Sequence, residues 1–276
     1  MRESNFSESQ LQQAVNTAFI RDAFEKHGEW VFACVPSLFH EFHVGWDSGF
    51  YFPWYPHLPI SDHEGCNFFI QYKLSGELTS TGAKEWKHWS TEYFRFKIPH
   101  STKSKTGKFF DDYHQWDRLK DLANASYPTF YATNATLSKD DWSNALKAGK
   151  LLDETPLLDV RQVTAKHKHV TFTKSSTCFL LHSEIEDSPK RNFASEIERF
   201  SDNNNTSLDE ANKKLLSLLK EMGKDDHEWS LDIQQVSQLI NSQLPREIRS
   251  LRTHAFLASF IRKHLGAQML WLPKNT

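Results

Sequence analysis

The hydrophobic pattern at the start of the chain predicts a helix. Ser7 and Gln10 match the capping box, in which two side chains three residues apart bond the free amides of a first helical turn. The apolar residues that share one face of the following segment are Leu11, Val15, Ala18 and Phe19. We therefore predict a first helix over residues 8–26 that ends near Gly28.

The next segments have the β-branched, aromatic or alternating composition typical of strands. We predict strands over residues 30–35, 43–52, 67–74, 93–98 and 128–132. Apolar residues at helical spacing predict a helix over residues 109–125, between the last two of these strands. The predicted order over residues 8–132 is helix, three strands, an additional strand, helix and strand.

The remainder of the chain changes from mixed to helical. Ser138 is expected to cap a helix that ends near residue 148. Strands are predicted over residues 157–163, 168–173 and 178–183, and helices near 190–200, 208–222, 230–242 and 246–265. The fold class predicted is therefore α/β, with a mixed central sheet and flanking helices over residues 1–188. A helical C-terminal region is predicted over residues 189–276.

Composition then excludes several classes of protein. The 276 residues include 21 Phe, 9 Trp and 7 Tyr, and disordered chains are poor in such residues. No apolar run approaches the roughly 20 residues of a membrane span, and no secretory signal opens the chain, so a cytoplasmic protein without a membrane partner is expected. Three widely spaced cysteines exclude a disulfide framework and a cysteine-rich zinc finger.

Two short motifs carry the candidate chemistry. Asp47 ends a Gly-Trp-Asp triplet in the second predicted strand. Gln71 and Lys73 lie two residues apart in the third predicted strand, so both face the same side of the sheet. Asp47 and the Gln71-Tyr72-Lys73 tripeptide resemble the active-site motifs of the restriction-endonuclease-like (PD-(D/E)xK) superfamily, in its Gln-x-Lys variant. The order of elements over residues 8–132 is similar to the core of that superfamily.

The resemblance implies a divalent-metal-dependent nuclease that hydrolyses phosphodiester bonds, with DNA as the expected substrate, in a bacterial anti-phage defence module. Asp47, Gln71 and Lys73 would be the catalytic residues. Asp47 and the amide oxygen of Gln71 would bind Mg²⁺ or Mn²⁺, and Glu41, or Glu25 on the first helix, would complete the metal site. Lys73 would orient the attacking water or offset the developing charge.

A basic segment supports a nucleic-acid partner. No acidic residue lies between Glu92 and Asp111, although the whole chain has 33 Lys+Arg against 35 Asp+Glu. The basic residues of this segment that we expect to bind phosphates are Arg95, Lys97, Lys103, Lys105 and Lys108. Trp86 and Trp89 precede it and are expected to stack on bases. The alternative is a solvated hairpin tip.

Two other functions stay open. The same core with an inactive site would be a binding module or a partner subunit of a larger complex. A two-histidine phosphoesterase is suggested by two H-x-[ST] motifs, which begin at His88 and His169. Arginines interspersed with apolar residues in the C-terminal helices make that region the expected surface for a homodimer or a defence-complex partner.

Overall fold

The computed structural model describes most of the chain. The described residues are 1–27, 36–37, 48–49, 64–100, 102–103, 109–110, 115–182, 185–201 and 206–274. They divide into two compact units. The first unit consists of Met1–Phe19, Gln71–Ala123 and Thr129–Glu196, and the second unit consists of Ile20–Ile70, Asn124–Pro128 and Ile197–Thr276. The predicted boundary at residue 188 stays a prediction.

The helices are numbered in chain order. They are α1 (Glu8–His27), α2 (Trp86–Trp89), α3 (Gln115–Asn124), α4 (Lys139–Lys147), α5 (Phe193–Ser201), α6 (Leu208–Met222), α7 (His227–Ile240) and α8 (Arg246–Leu265). The bounds of α1, α4, α6 and α8 confirm the helices predicted there to within about two residues. No helix among the described residues has both the length and the hydropathy that crossing a membrane requires.

The strands are numbered in the same way. They are β1 (Pro36–Ser37), β2 (Ser48–Gly49), β3 (Glu64–Lys73), β4 (Gly76–Leu78), β5 (Tyr93–Lys97), β6 (Thr102–Lys103), β7 (Phe109–Phe110), β8 (Thr129–Thr133), β9 (Pro156–Asp159), β10 (His169–Phe172), β11 (Cys178–His182), β12 (Glu186–Pro189), β13 (Arg191–Asn192), β14 (Thr206–Ser207) and β15 (Gln268–Pro273).

A five-stranded antiparallel sheet lies within the first unit, in the order β12-β11-β10-β5-β4. His169 is the register partner of both Lys97 and His182, and Thr171 is the partner of Arg95. Because directly opposed residues share a face, one face of this sheet carries these polar side chains. Val170 and Phe172 point to the other face and are fully buried.

The strand that carries Gln71 and Lys73 has a parallel neighbour. The Phe69 amide of β3 donates to the carbonyl of Pro128, just before β8, and Ser75 bonds Asn134 at 2.6 to 2.8 Å just beyond the ends of both strands. These contacts advance in the same direction along β3 and β8, so the two strands run parallel. The other described pairs of this sheet are antiparallel, which makes it mixed. The predicted α/β class with a mixed sheet, flanking helices and a helical C-terminal region is confirmed.

The N-terminal part of α1 belongs to the first unit and bonds β3 there. Its capping box forms as predicted, since the Ser7 amide donates to Gln10 at 2.9 Å and the Gln10 amide donates to Ser7 at 3.2 Å. The Tyr72 hydroxyl then donates to Asn16 at 3.0 Å in the buried interior. The bond to Asn16 holds the middle of α1 against the end of β3.

Among its described residues, the second unit contains strands and the complete helices α6, α7 and α8. β15 pairs with β3 from Gly65 to Ile70, in an antiparallel register. Trp229 of α7 is fully buried, packs edge-on against Phe260, and donates its indole N–H to the Leu219 carbonyl at 2.7 Å. This aromatic contact links α6, α7 and α8.

Several predicted elements differ from those observed. The strand predicted over residues 157–163 ends at Asp159, because its carboxylate accepts from the Arg161 amide and caps a 3₁₀ turn. The helix predicted from residue 109 starts at Gln115, because Phe109–Phe110 pair with β6 in a hairpin. The strand predicted over residues 30–35 lies outside the described residues, as does most of the strand predicted over 43–52.

Candidate functional site

Gln71 occupies a buried position in β3, with 5% of its surface exposed. Its amide oxygen accepts a hydrogen bond from Gln115 of α3 at 2.8 Å. Its amide nitrogen donates to the carbonyl of Tyr72 at 3.1 Å. The side chain is therefore fixed in one orientation, and its oxygen is held by a neutral donor.

Lys73 lies two residues farther along and is only partly buried. Burial lowers the pKa of Lys73, and the carboxylate of Glu8 partly offsets this effect. Glu8 is exposed as a residue, but desolvation of its carboxyl group raises its pKa, against the opposing effects of Lys73 and the Leu74 amide. The ammonium of Lys73 thus interacts electrostatically with a carboxylate from the first turn of α1.

A cavity of about 360 Å³ adjoins this pair within the first unit. Its charged lining residues are Glu8, Lys73, Arg95 and Lys97. Three cations and one carboxylate give the lining an excess of positive charge. Such a lining attracts anions, and phosphate groups in particular, because Arg and Lys bind them through charge-assisted hydrogen bonds.

A second polar cluster lies on the five-stranded sheet. Glu85, at the N-terminus of α2, is 2% exposed, and His182 is 8% exposed. His169 Nε2 lies 3.0 Å from Glu85 Oε1, and the imidazole rings of His169 and His182 stack at 4.8 Å. One ligand atom from each of these residues lies within 4.8 Å of the other two, so the three could hold a metal ion.

Neighbouring side chains orient this cluster. Tyr93 donates its hydroxyl to Glu85 Oε2 at 2.9 Å, and Arg95 lies 3.5 Å from the same oxygen. Thr171 Oγ1 accepts from the indole N–H of Trp89 at 3.0 Å and lies 2.8 Å from His182 Nε2. Glu85 and His182 therefore each have a polar partner outside the group of three.

The environment sets the charge of these groups. Burial alone would raise the pKa of Glu85, but the hydrogen bonds from Tyr93 and His169 bring it below its usual value. The pKa of His182 is lowered to about 4, chiefly by burial and in second place by the charge of His169. Burial also lowers the pKa of His169. At neutral pH the cluster is therefore a carboxylate beside two uncharged imidazoles.

The structure distributes the predicted site residues among several places. Gln71 and Lys73 share one face of β3, and Arg95 and Lys97 line the adjoining cavity. Trp86 and Trp89 lie in α2, where the Trp89 indole bonds Thr171, and Lys103 lies in β6. The predicted site residues that lie outside the described residues are Glu41, Asp47, Lys105 and Lys108.

Sequence reasoning missed three residues of these clusters. Glu8 directly follows the capping Ser7, which predicted its place on the helix but not its electrostatic interaction with Lys73. His169 was singled out as part of an H-x-[ST] motif, but His182 and Glu85 were not. An imidazole that ends a mostly apolar strand, as His182 does, is the one signal that could have identified the second ligand.

Comparison with known proteins adds no relative. Neither a protein-family profile, nor a curated protein, nor a solved structure matches this chain.

Proposed function

We propose that this protein is a divalent-metal-dependent nuclease that hydrolyses phosphodiester bonds, with DNA as its expected substrate. The observation that carries the proposal is the cavity at the end of β3. Lys73 and Glu8 both line it and interact electrostatically, and Arg95 and Lys97 line the same space. Such a group of cations can bind a phosphate, and the ammonium of Lys73 can stabilise the negative charge that develops on it during hydrolysis.

The oxygen donors near Lys73 fit a hard cation. Glu8 offers a carboxylate, and Gln71 offers an amide oxygen. That oxygen accepts a hydrogen bond from the neutral side chain of Gln115 at 2.8 Å, which a cation could replace. Mg²⁺ and Mn²⁺ prefer such ligands. Asp47 and Glu41, the further carboxylates of the predicted metal site, lie outside the described residues. When bound, a cation of this kind activates water and offsets negative charge on the phosphate.

The side chains of the protein would divide the remaining tasks. Arg95 and Lys97 would bind the phosphate backbone and hold it against the end of β3. Lys73 would orient the attacking water and stabilise charge that develops on the phosphate oxygens. Glu8 would hold the Lys73 ammonium in place, since each group shifts the pKa of the other toward its charged form.

Cleavage assays test this assignment. Supercoiled DNA and single-stranded RNA would be incubated with the protein in Mg²⁺ or Mn²⁺, beside Lys73→Met and Asp47→Ala. We expect each substitution to slow cleavage at least about 100-fold, as loss of one group that stabilises a transition state does elsewhere. Lys139→Met is a matched control, because Lys139 is an exposed lysine of α4 in the same unit, and it should leave the rate unchanged.

Other outcomes would contradict the proposal. Cleavage that survives both Lys73→Met and Asp47→Ala would refute the roles given to these residues. Salt-sensitive DNA binding without cleavage by the wild-type protein would favour an inactive binding module.

The two-histidine phosphoesterase is the second candidate, because His88 and His169 both lie near His182, at 6.1 and 4.8 Å between ring centroids. Its motif needs a hydroxyl that is available to a phosphate, whereas Thr171 contacts Trp89 and His182. Loss of cleavage in His88→Asn and His169→Asn, with normal cleavage by Lys73→Met, would favour this candidate.

A further inference from the structure

We propose that Glu85, His169 and His182 form a binding site for a divalent transition-metal ion, Zn²⁺ foremost, in the first unit. The inference does not rest on the proposed nuclease activity. The nuclease proposal uses oxygen ligands at the end of β3, whereas this site combines two imidazole nitrogens with one carboxylate. Imidazole ligands select zinc and its neighbours over Mg²⁺ or Ca²⁺.

The spacing of the ligand atoms suits such an ion. In a tetrahedral site with bonds of about 2.0–2.1 Å, ligand atoms lie about 3.3 Å apart. Glu85 Oε1 and His169 Nε2 already lie 3.0 Å apart, and the largest separation within the group is under 4.8 Å. Small side-chain rotations would therefore bring all three atoms to bonding distance.

The ligands are held by a rigid framework. His169 and His182 are register partners on the adjacent strands β10 and β11, so the sheet fixes the separation of their backbones. Glu85 approaches from the start of α2. A bound ion would therefore connect α2 to the sheet, and would restrict the movement of these elements relative to one another.

The side chains that hydrogen-bond these ligands also support metal binding. Metal-bound histidines and carboxylates are usually oriented by a second hydrogen bond. Thr171 contacts His182 Nε2 at 2.8 Å, and Tyr93 donates to Glu85 Oε2 at 2.9 Å, which leaves Oε1 directed at His169. The orientation needed for binding is thus present in the ligand-free arrangement.

The described part of the chain supplies three ligands to this site. Among the residues that the structure describes, the group of converging ligand atoms contains three members. The His88 ring lies nearby, with its centroid 6.1 Å from that of His182. Three protein ligands with one position for water or an anion is the arrangement of zinc sites that bind exchangeable ligands.

Substitution of Arg95 is expected to strengthen Zn²⁺ binding, whereas substitution of a ligand should weaken it. Its guanidinium lies 3.5 Å from Glu85 Oε2 and repels a cation at this site. We therefore expect Arg95→Gln to bind Zn²⁺ more tightly than the wild type. A purely structural Glu85–Arg95–His169 network would give no such gain, because loss of Arg95 would only remove a hydrogen bond.

Metal titration tests the proposal directly. The full chain would be freed of metal with a chelator, and Zn²⁺ affinity measured by competition with a chromophoric chelator. We expect one equivalent of Zn²⁺ to bind. Glu85→Gln, His169→Asn and His182→Asn should each weaken binding at least about 100-fold. Loss of a residue that only hydrogen-bonds a metal ligand costs less, about 10- to 100-fold. His167→Asn is the matched control, since His167 is a buried histidine that bonds Glu186 instead.

Two measurements keep the test decisive if a variant folds poorly. Zn²⁺ should raise the midpoint of thermal unfolding of the unmodified protein, because an ion that binds only the folded state stabilises it. Co²⁺ in its place should give the intense visible absorption of a four-coordinate site. Absence of both effects, or equal weakening of binding by His167→Asn, would overturn the proposal. Lys73→Met should bind Zn²⁺ normally, so failure of the nuclease proposal would be recognised separately.

Discussion

At the scale of single residues, His254 is the clearest source of pH dependence. The residue is buried in the second unit, where Nδ1 lies 3.2 Å from Asn212 Oδ1 and the ring meets Trp271 edge-on. Burial lowers the pKa of His254 to about 4. An unfolded histidine titrates near pH 6.5, so the unfolded chain binds a proton first as the pH falls. The folded state is favoured fully above pH 6.5 and loses stability between pH 6.5 and 4.

We therefore expect His254 to lower the free energy of unfolding by about 2 kcal/mol between pH 8 and pH 5. Urea unfolding of the wild type and of His254→Leu at several pH values would measure this, because the variant should lose that part of the slope. His227→Leu removes an exposed histidine of the same unit and should keep the wild-type slope. Equal slopes for wild type and His254→Leu would contradict the assignment.

The sequence predicted only those features of the candidate site that depend on local backbone geometry. Gln71 and Lys73 could be placed on one face because a strand alternates every two residues. The electrostatic effect of Glu8 on Lys73 depends on where α1 packs, and the approach of Glu85 to His169 joins residues 84 positions apart. No local pattern encodes such separations, so the second cluster required the structure.

At the scale of elements, a glycine controls the connection between α6 and α7. Gly223 follows the last turn of α6, and a β-carbon on it would overlap with the indole ring of Trp229. The ring cannot move aside easily, because it is fully buried and bonded to Leu219.

Gly223→Ala should therefore lower the free energy of unfolding by about 1–3 kcal/mol, the usual cost of overpacking a core. Chemical denaturation would measure the change. Gly82→Ala is a suitable control, since a β-carbon at Gly82 has no neighbour nearer than 3.7 Å and φ is not positive there. A Gly223→Ala protein as stable as the wild type would show that α7 can shift away without loss.

Elements with strong local signals were predicted well, and those fixed by distant contacts were not. The capping residues Ser7 and Ser138 and the apolar stripes behind them identify α1 and α4. β15 was missed, although Gln268–Pro273 follows the left-handed Gly266 that ends α8 and contains an apolar run. Its strand character depends on pairing with β3, which the sequence does not reveal.

At the scale of the whole molecule, the formal charge of -2 hides a local excess of positive charge. The cations Lys73, Arg95 and Lys97 line one cavity of the first unit with a single carboxylate. If this cavity binds DNA, the affinity should fall with salt, since each neutralised phosphate releases counterions.

We expect Lys97→Ala to reduce the slope of log affinity against log salt concentration by about 0.9 for duplex DNA, the contribution of one phosphate contact. Fluorescence anisotropy at several salt concentrations would measure the slopes. Lys139→Ala should leave the slope unchanged. An unchanged slope in Lys97→Ala would show that this lysine does not contact the phosphate backbone.

The pairing of β3 with β15 also affects folding during synthesis, because β3 is made long before its partner strand. Phe68, Phe69 and Ile70 are fully buried, and their register partners are Leu270, Met269 and Gln268. A ribosome adding about 5–20 residues per second needs roughly 10–40 s to synthesise the intervening stretch of about 200 residues. During that interval the nascent β3 edge is an apolar template for pairing with other chains. Chaperone demand during synthesis should therefore exceed what the stability of the finished fold suggests.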